Sequence, residues 1–140
     1  MADTLNTLKT RRSCRAYTSE HVEEEKLNAI IEAGTYATTG MGKQSPIILV
    51  IKDPAVHEQL RKLNAAAMGM DIDPFYGAPD LLVVLANKDI PTYIYDGSLV
   101  MGNSCCRSWR GQLLGAPRQG RIPVRGRKVY IQKAGYRRQL

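Results

Sequence analysis

Residues 46–54 read Pro-Ile-Ile-Leu-Val-Ile-Lys-Asp-Pro, and this stretch decides the fold class. The run from Ile47 to Ile51 is apolar, continuous and rich in β-branched side chains, which is typical of a buried strand. Asp53 and Pro54 form a strong helix start, because Asp caps a helix and Pro is tolerated at its first position. The stretch therefore predicts a strand followed directly by a helix.

The same alternation extends in both directions along the chain. A helix is predicted from about Val22, because the apolar residues that follow keep the i, i+3, i+4, i+7 spacing. These residues are Leu27, Ile30, Ile31 and Gly34. Leu81 to Ala86 is a second apolar run that predicts a buried strand, and a further helix is predicted from near Asp96. Helices that alternate with strands predict a layered fold of mixed α and β structure.

Charge divides the chain after Asn103. Residues 1–103 hold ten Lys or Arg and thirteen Asp or Glu, whereas residues 104–140 hold ten Lys or Arg and no acid. The net charge of +7 is therefore the sum of −3 and +10. We predict a globular unit over residues 1–103 and a basic, atypical tail over residues 104–140.

Composition excludes several classes of protein. No apolar run approaches the roughly 18 residues that a membrane span needs, and the polar N-terminus does not resemble a secretory signal. The three cysteines, Cys14, Cys105 and Cys106, include no CxxC pair for zinc, and neighbouring cysteines do not make a usual structural bridge. These features favour a cytoplasmic protein with reduced thiols.

The first candidate site is a cluster of cations near the N-terminus. Arg11, Arg12 and Arg15 surround Ser13, which places three guanidinium groups and a hydroxyl within five residues. Such a cluster suits an anion with several oxygens, such as a phosphate. A solvated basic turn explains the same residues, and spacing alone favours that simpler interpretation.

The second candidate is the loop from Thr38 to Gln44. Its two glycines allow backbone N–H groups to approach a ligand closely, Lys43 adds charge, and Gln44 offers a donor and an acceptor. The loop matches neither a Walker A sequence nor GxGxxG. An ordinary connection between a helix and a strand is the simpler interpretation.

Other chemistry has little support in the sequence. His21 and His57 form neither an HExxH motif nor a nucleophile–base pair, and they are expected at the surface. No Asp cluster matches an EF-hand loop, and no Ser stands in a GxSxG sequence. We therefore predict neither a metal site nor a hydrolytic active site.

Together the motifs resemble the FMN-dependent nitroreductase family. The resemblance is carried by Arg-Arg-Ser-Cys-Arg-Ala-Tyr at 11–17, Tyr-Ala-Thr-Thr-Gly-Met-Gly-Lys-Gln-Ser-Pro at 36–46, Tyr-Gly-Ala-Pro at 76–79 and Asp-Gly-Ser-Leu-Val-Met-Gly-Asn at 96–103. It extends over residues 5–103. It implies an α+β fold, a three-layer α/β/α sandwich with a mostly antiparallel central sheet, in a homodimer that binds FMN at its interface.

The resemblance also implies roles for residues. Arg11, Arg12, Ser13 and Arg15 would bind the flavin phosphate and ring edge. The flavin of the other subunit would be contacted by Thr38, Thr39, Gly40, Met41 and Gly42, with Gln44 nearby. Thr38 stands where many members have Pro and Gly42 where many have Asn. NADH or NADPH would reduce FMN, and a small electron-poor acceptor, nitroaromatic or quinone-like, would take the electrons in a ping-pong reaction.

The resemblance stops after Asn103, and we interpret residues 104–140 as family coding sequence read in a shifted frame, or as disordered. Gly120 to Lys128 can be back-translated so that a one-base shift encodes Glu-Glu-Phe-Gln-Ser-Glu-Glu-Gly. Residues 111–115 yield Gly-Ser-Cys-Trp and residues 133–138 yield Lys-Leu-Gly-Ile-Glu-Gly by the same shift. The sandwich is then expected to be truncated, without the second half of its central helix and its last strand.

Two other functions remain open. The basic tail could bind nucleic acid through its ten cations, although it lacks the aromatic platforms of single-strand binders, and nucleic acid is therefore disfavoured as a partner. The chain could also be an inactive truncated product. A membrane partner is not expected.

Overall fold

The computed structural model describes residues 4–13, 15–109, 118–119 and 127–134. This part of the chain contains four α-helices and four strands, with one short 3₁₀ turn at Gly40–Gly42. The helices are α1 (Thr4–Thr10), α2 (Glu24–Thr35), α3 (Pro54–Met68) and α4 (Tyr93–Trp109), and the strands are β1 (Ile47–Ile51), β2 (Asp80–Asn87), β3 (Arg118–Gln119) and β4 (Arg127–Ala134).

The strands form one antiparallel sheet in the order β1-β2-β4-β3. Ile47 of β1 lies opposite Leu85 of β2, and Val83 of β2 lies opposite Ile131 of β4. Strand β2 is thus paired along both edges. The expected α+β architecture with a mostly antiparallel sheet is confirmed.

Strand β2 separates two apolar layers. On one face, Leu82 packs with Leu27 and Ile30 of α2, and Val84 packs with Val100 and Met101 of α4. On the other face, the buried side chains of Leu81, Val83 and Phe75 pack with Leu60 of α3. Helices cover both faces, so the molecule has the predicted three layers.

Helix α3 begins as its sequence predicts, and it ends at a glycine. The Asp53 carboxylate accepts hydrogen bonds from the backbone N–H groups of Ala55 and Val56, and Pro54 occupies the first helical position. Gly69 ends the helix in the left-handed conformation, with φ of 65°. Both ends therefore use standard capping chemistry.

Strand β1 is less buried than its apolar sequence predicts. Ile48 and Val50 pack against the core, whereas Ile47 and Leu49 are exposed. The expectation of a strand buried on both faces is therefore wrong for β1. The reason is its place in the sheet: in the described part of the chain, only β2 pairs with it, and the clusters that cover it use Ile48, Val50 and Ile51.

Helix α2 starts two residues later than predicted. Val22 is buried outside the helix, and its backbone N–H donates to the carboxylate of Asp80 at 2.8 Å. Glu23 has φ of −55° and ψ of 140°, which is not helical. A tertiary hydrogen bond to a buried acid thus sets the start of the helix.

Helix α4 is longer than predicted at both ends. It begins at Tyr93, and it continues to Trp109, six residues past Asn103. Ser104 and Cys105 are buried, and they extend the face of Val100 and Met101 by one turn. The expected loss of the second half of this helix is wrong, because these small side chains still fit against the core.

The expected loss of the last strand is also wrong, since β4 pairs with β2 from Asp80↔Ala134 to Asn87↔Arg127. Val129, Tyr130 and Ile131 suit a strand by their intrinsic preference. The rest of the predicted tail, residues 110–117, 120–126 and 135–140, lies outside the described residues. The shifted reading frame concerns the gene and stays a prediction, which the codons after Asn103 test.

Gly34 allows α2 and α4 to cross closely. A Cβ at this position would lie 2.6 Å from Ser104 Oγ and 2.9 Å from Ile48 Cδ1. Within the described residues, the buried hydroxyl of Ser104 has no hydrogen-bond partner. The crossing therefore depends on the absence of a side chain at residue 34.

We predict that Gly34→Ala lowers the free energy of unfolding by about 1–3 kcal/mol, because the added methyl group overpacks the crossing. Ser104→Ala alone is expected to be neutral or stabilising, since its hydroxyl makes no hydrogen bond in the described structure. The double variant should recover part of the loss. Urea unfolding of the three variants measures this, and a fully additive double variant would contradict the proposed contact.

Candidate functional site

The cation cluster lies just after α1. Arg12, Ser13 and Arg15 are exposed and Arg11 is half-buried, whereas Cys14 lies outside the described residues. Arg12 Nη1 donates to the carbonyl oxygens of Lys9 and Arg11, each at 2.9 Å. Arg12 therefore caps the C-terminal end of α1 as well as adding charge.

Among the described residues, no acid forms an ion pair with this cluster. Within residues 4–13 and 15–109, none of Arg11, Arg12 and Arg15 takes part in an ion pair. Exposed guanidinium groups without a carboxylate partner are available to an anionic ligand. The structure is thus compatible with an anion site here.

The segment that follows the cluster is attached to the core. Tyr17 is buried and packs with Ala78 and Tyr76. His21 Nδ1 lies 2.7 Å from Oδ1 of Asp80, whose side chain is completely buried. These contacts join the end of the cation segment to the start of β2.

The second candidate, which we call the glycine loop (Thr38–Gln44), is a compact turn. Gly42 N–H donates to Thr39 O, Lys43 N–H donates to Gly40 O, and Gln44 N–H donates to Thr39 Oγ1. Met41, Gly42 and Gln44 have φ of 53°, 64° and 48°. For the two non-glycine residues this left-handed conformation is unfavourable, so tertiary contacts must support it.

The surface of the glycine loop is open. Thr38, Met41, Gly42 and Gln44 are exposed, and a Cβ added at Gly42 would have no heavy atom within 4 Å. Thr39 and Gly40 are half-buried, where the loop contacts the body of the protein. A ligand can therefore approach the backbone and the Gln44 amide from solvent.

The two candidate segments are separate in this single chain. In the described structure, no hydrogen bond or ion pair joins Arg11–Arg15 to the glycine loop. Val22, seven residues after the cation segment, donates its N–H to Asp80 at the start of β2, while Gly40 of the loop donates to Asp96 on the first turn of α4. That the two segments bind one ligand together stays a prediction.

A cavity of about 370 Å³ lies between α1, α2 and α4. It is lined by Thr4, Thr7, Ala33, Tyr36, Asn103, Cys106 and Arg107. None of the residues predicted to bind a ligand lines it. No local pattern in the sequence indicates this cavity, because its lining residues come from segments that are distant in the chain.

The histidines differ in environment. His21 has an exposed side chain, as expected, although its ring contacts Asp80. His57 is half-buried: its Nε2 lies 2.8 Å from Ala78 O, and its ring packs edge-on against Phe75. The expectation of a surface histidine is therefore wrong for His57, because α3 packs it against the loop before β2.

Two acids are buried, and the sequence alone indicates no structural role for either. Asp80 and Asp96 are 0% and 2% exposed, and each accepts a backbone N–H from a loop that is distant in sequence. The available signal was an acidic residue at the start of an apolar run. That signal is weak, because exposed acids at helix and strand ends are common.

No metal or membrane chemistry is visible in the described part of the chain. There, no three His, Cys, Asp or Glu side chains are grouped closely enough to hold a metal ion. Helices that are long and apolar enough to cross a bilayer are likewise absent from the described residues.

Comparison with known proteins identifies a family. The model of the Nitroreductase family matches residues 8–80, which is more than half of the chain. A search of curated protein sequences finds no match.

Solved structures show the same fold. A nitroreductase with bound FMN from Bacteroides fragilis has 22% identity and a TM-score of 0.83, over 99% of this chain and 90% of that one. One from Desulfitobacterium hafniense, also with bound FMN, has 20% identity and a TM-score of 0.82, over 100% and 92%. An FMN-dependent nitroreductase from Clostridium difficile has 17% identity and a TM-score of 0.85, over 99% and 92%.

The two neighbouring cysteines are expected to differ in reactivity. Burial raises the pKa of the Cys105 thiol to about 12 and outweighs the opposite effect of the Arg11 charge. Cys106 is half-buried and lines the cavity. We predict that at pH 8 iodoacetamide alkylates Cys106 at least about tenfold faster than Cys105, because the thiolate is the nucleophile.

Fragment-ion mass spectrometry of the peptide that contains both residues measures the two rates. Cys106→Ser leaves Cys105 as the only thiol of the pair and should abolish the fast labelling of this peptide. Equal rates for the two thiols in the folded protein would contradict the prediction, and unfolding in urea should make them equal.

Proposed function

Because the chain belongs to the nitroreductase family, we propose that it is an FMN-dependent oxidoreductase. Its electron donor would be NADH or NADPH, and its acceptor a small nitroaromatic or quinone-like molecule. The observation that carries the proposal is the pair of largely exposed segments at Arg11–Arg15 and Thr38–Gln44 within this fold. Among the described residues, no acid forms an ion pair with the three arginines of the first segment. Both segments lie within residues 8–80, which the family model matches.

The cation segment fits the phosphate group of FMN. Arg11, Arg12 and Arg15 supply guanidinium donors, and the exposed hydroxyl of Ser13 adds a further donor. Arg12 would bind with a guanidinium group that is already held by two carbonyl oxygens, that of Lys9 in α1 and that of Arg11 just after it. Holding the group in place lowers the entropy lost when the anion binds.

The glycine loop fits a flat ring. Thr38, Thr39, Gly40, Met41 and Gly42 would contact the flavin of the other subunit through an exposed backbone. The absence of a side chain at Gly42 lets that backbone approach the ring closely. Nearby, the exposed amide of Gln44 can donate or accept a hydrogen bond at a polar ring edge.

No side chain is assigned a catalytic role. When bound, FMN supplies the redox chemistry, taking electrons from NAD(P)H and passing them to the acceptor in a ping-pong sequence. The residues of this chain bind and orient. With the redox chemistry supplied by the cofactor, the proposed activity requires neither a metal cluster nor a paired acid and base from the protein.

We further propose that the chain acts as a homodimer. Tyr95 and Leu99 lie one turn apart on α4, and their side chains are 71% and 46% exposed. Leu5 and Leu8 of α1 are each 56% exposed. Large apolar side chains exposed on neighbouring helices support an interface with a second copy. A cytoplasmic location is part of the same proposal, because the reduced thiols expected from the sequence persist in a reducing compartment.

An FMN titration of the purified chain tests the proposed activity. We expect saturable quenching of flavin fluorescence, and NADH or NADPH oxidation that depends on a nitroaromatic or quinone acceptor. Arg15→Ala should weaken FMN binding about tenfold, because a charge-assisted hydrogen bond is lost. Lys52→Ala, which removes an exposed cation outside the proposed site, is the matched control.

Absence of saturable binding would overturn the proposed function and favour an inactive product. Binding that is equally strong in Arg15→Ala and Lys52→Ala would place the phosphate elsewhere. A steep salt dependence of nucleic-acid binding, with no flavin binding, would instead support the alternative function of the basic tail.

Size-exclusion chromatography tests the dimer. Leu99→Glu is expected to shift elution from the dimer to the monomer position, because a carboxylate would be buried against an apolar surface. Gln59→Glu adds the same charge to an exposed position on α3 and should leave elution unchanged. A monomeric unmodified chain, or a Leu99→Glu variant that stays dimeric, would contradict the proposed interface.

A further inference from the structure

The carboxylate of Asp96 connects the glycine loop to the body of the protein. Asp96 lies on the first turn of α4 and is 2% exposed. Its Oδ1 accepts the backbone N–H of Gly40 at 3.0 Å, and its Oδ2 accepts the hydroxyl of Thr92 at 3.0 Å. Both oxygens are thus used, one on the loop and one on the turn before the helix.

This connection is not duplicated elsewhere in the described structure. The other hydrogen bonds of the loop, from Gly42, Lys43 and Gln44, all end on Thr39 or Gly40 and hold only its internal shape. Within the described residues, the Gly40–Asp96 bond is the one hydrogen bond that joins the loop to a helix or strand. Its loss would leave a shaped loop without a fixed position.

Packing at Gly40 sets the same position by contact. A Cβ at residue 40 would lie 2.1 Å from Thr92 Oγ1, 2.7 Å from Thr92 Cγ2 and 2.8 Å from Thr92 Cβ. Any side chain there would push the loop away from Thr92 and lengthen the bond to Asp96. Gly40, Thr92 and Asp96 therefore form one unit, which we call the loop anchor.

We propose that Asp96 is a positioning residue, which holds the glycine loop where it contacts FMN through the loop anchor. This inference rests on the proposed function. The loop keeps Met41 and Gln44 at positive φ, a conformation that persists only when the surroundings determine it. The buried carboxylate supports the loop on the side that faces the body of the protein, while the opposite side of the loop stays exposed to solvent and to a ligand.

The carboxylate suits this role physically. An acid in the first turn of a helix is stabilised by the helix dipole, and two hydrogen bonds satisfy its oxygens in a buried place. Asparagine could keep both contacts, with its oxygen accepting from Gly40 N–H and its amide donating to Thr92 Oγ1. Alanine could keep neither contact.

The test compares FMN affinity among variants of the full chain. We expect Asp96→Ala to raise the FMN dissociation constant by about tenfold or more, because small displacements of a binding loop are costly. Asp96→Asn should stay within about threefold of the unmodified chain, since its contacts survive. The circular dichroism of the bound flavin bands should change in Asp96→Ala and be restored in Asp96→Asn.

A second pair of variants tests the anchor without changing Asp96. Gly40→Ala should weaken FMN binding, and Thr92→Gly in the same chain should recover part of the affinity, because it removes all three atoms that the new methyl group would meet. This pair decides the question if Asp96→Ala fails to fold. Thermal unfolding of each variant without FMN separates a displaced loop from general destabilisation.

The outcomes separate the two proposals. If the unmodified chain fails to bind FMN, the proposed function and this inference both fail. If it binds FMN, and Asp96→Ala keeps the same affinity and flavin spectrum, the positioning role alone is overturned. An Asp96→Asn variant as weak as Asp96→Ala also overturns it. So does a Gly40→Ala defect that Thr92→Gly does not relieve, when Thr92→Gly alone keeps the FMN affinity of the unmodified chain.

Discussion

Burial of β2 on both faces is the constraint on which the rest of the structure depends. Leu81, Leu82 and Val84 are almost fully buried, and the strand is paired along both edges. An antiparallel strand enclosed in this way needs apolar layers above and below it. Helices α2 and α4 supply one layer, and Phe75 and α3 supply the other.

The close approach of α2 to α4 follows from that layer. Gly34 leaves room for the side chains of Ser104 and Ile48, which would lie too close to any Cβ atom at residue 34. The helices can then cover adjacent parts of one sheet face without a gap. Residues 104–109 belong to this arrangement in the structure, although the charge pattern of the sequence separates them from the globular part.

Two buried carboxylates attach the candidate binding segments to this core. Asp80 at the start of β2 accepts the N–H of Val22, which follows the cation segment, and Asp96 at the start of α4 accepts the N–H of Gly40 in the glycine loop. A hydrogen bond from a backbone N–H to a buried carboxylate is directional. Its loss lowers stability because a buried polar group is left unpaired. Buried polar groups thus fix the backbone of the exposed glycine loop and of the segment that follows the arginines, which is how a candidate site on loops can be preorganised.

The sequence by itself determined the local elements and the family. Periodicity and capping predicted β1, α3 and β2, because these signals depend on residues close in the chain, as Asp53 and Pro54 show. The motifs at Arg11–Arg15 and Thr38–Gln44 indicated the nitroreductase family for the same reason. Local signals could not reveal the exposure of Ile47 and Leu49, which depends on neighbours in the sheet.

Tertiary structure alone decided the start of α2, the length of α4, the place of β4 beside β2 and the role of Asp96. Each depends on a contact between residues far apart in sequence, such as Val22 with Asp80 or Gly40 with Asp96. A carboxylate near a helix start looks the same in sequence whether solvent or a distant N–H satisfies it. Only folding brings that N–H within 3.0 Å of the acid and makes the difference.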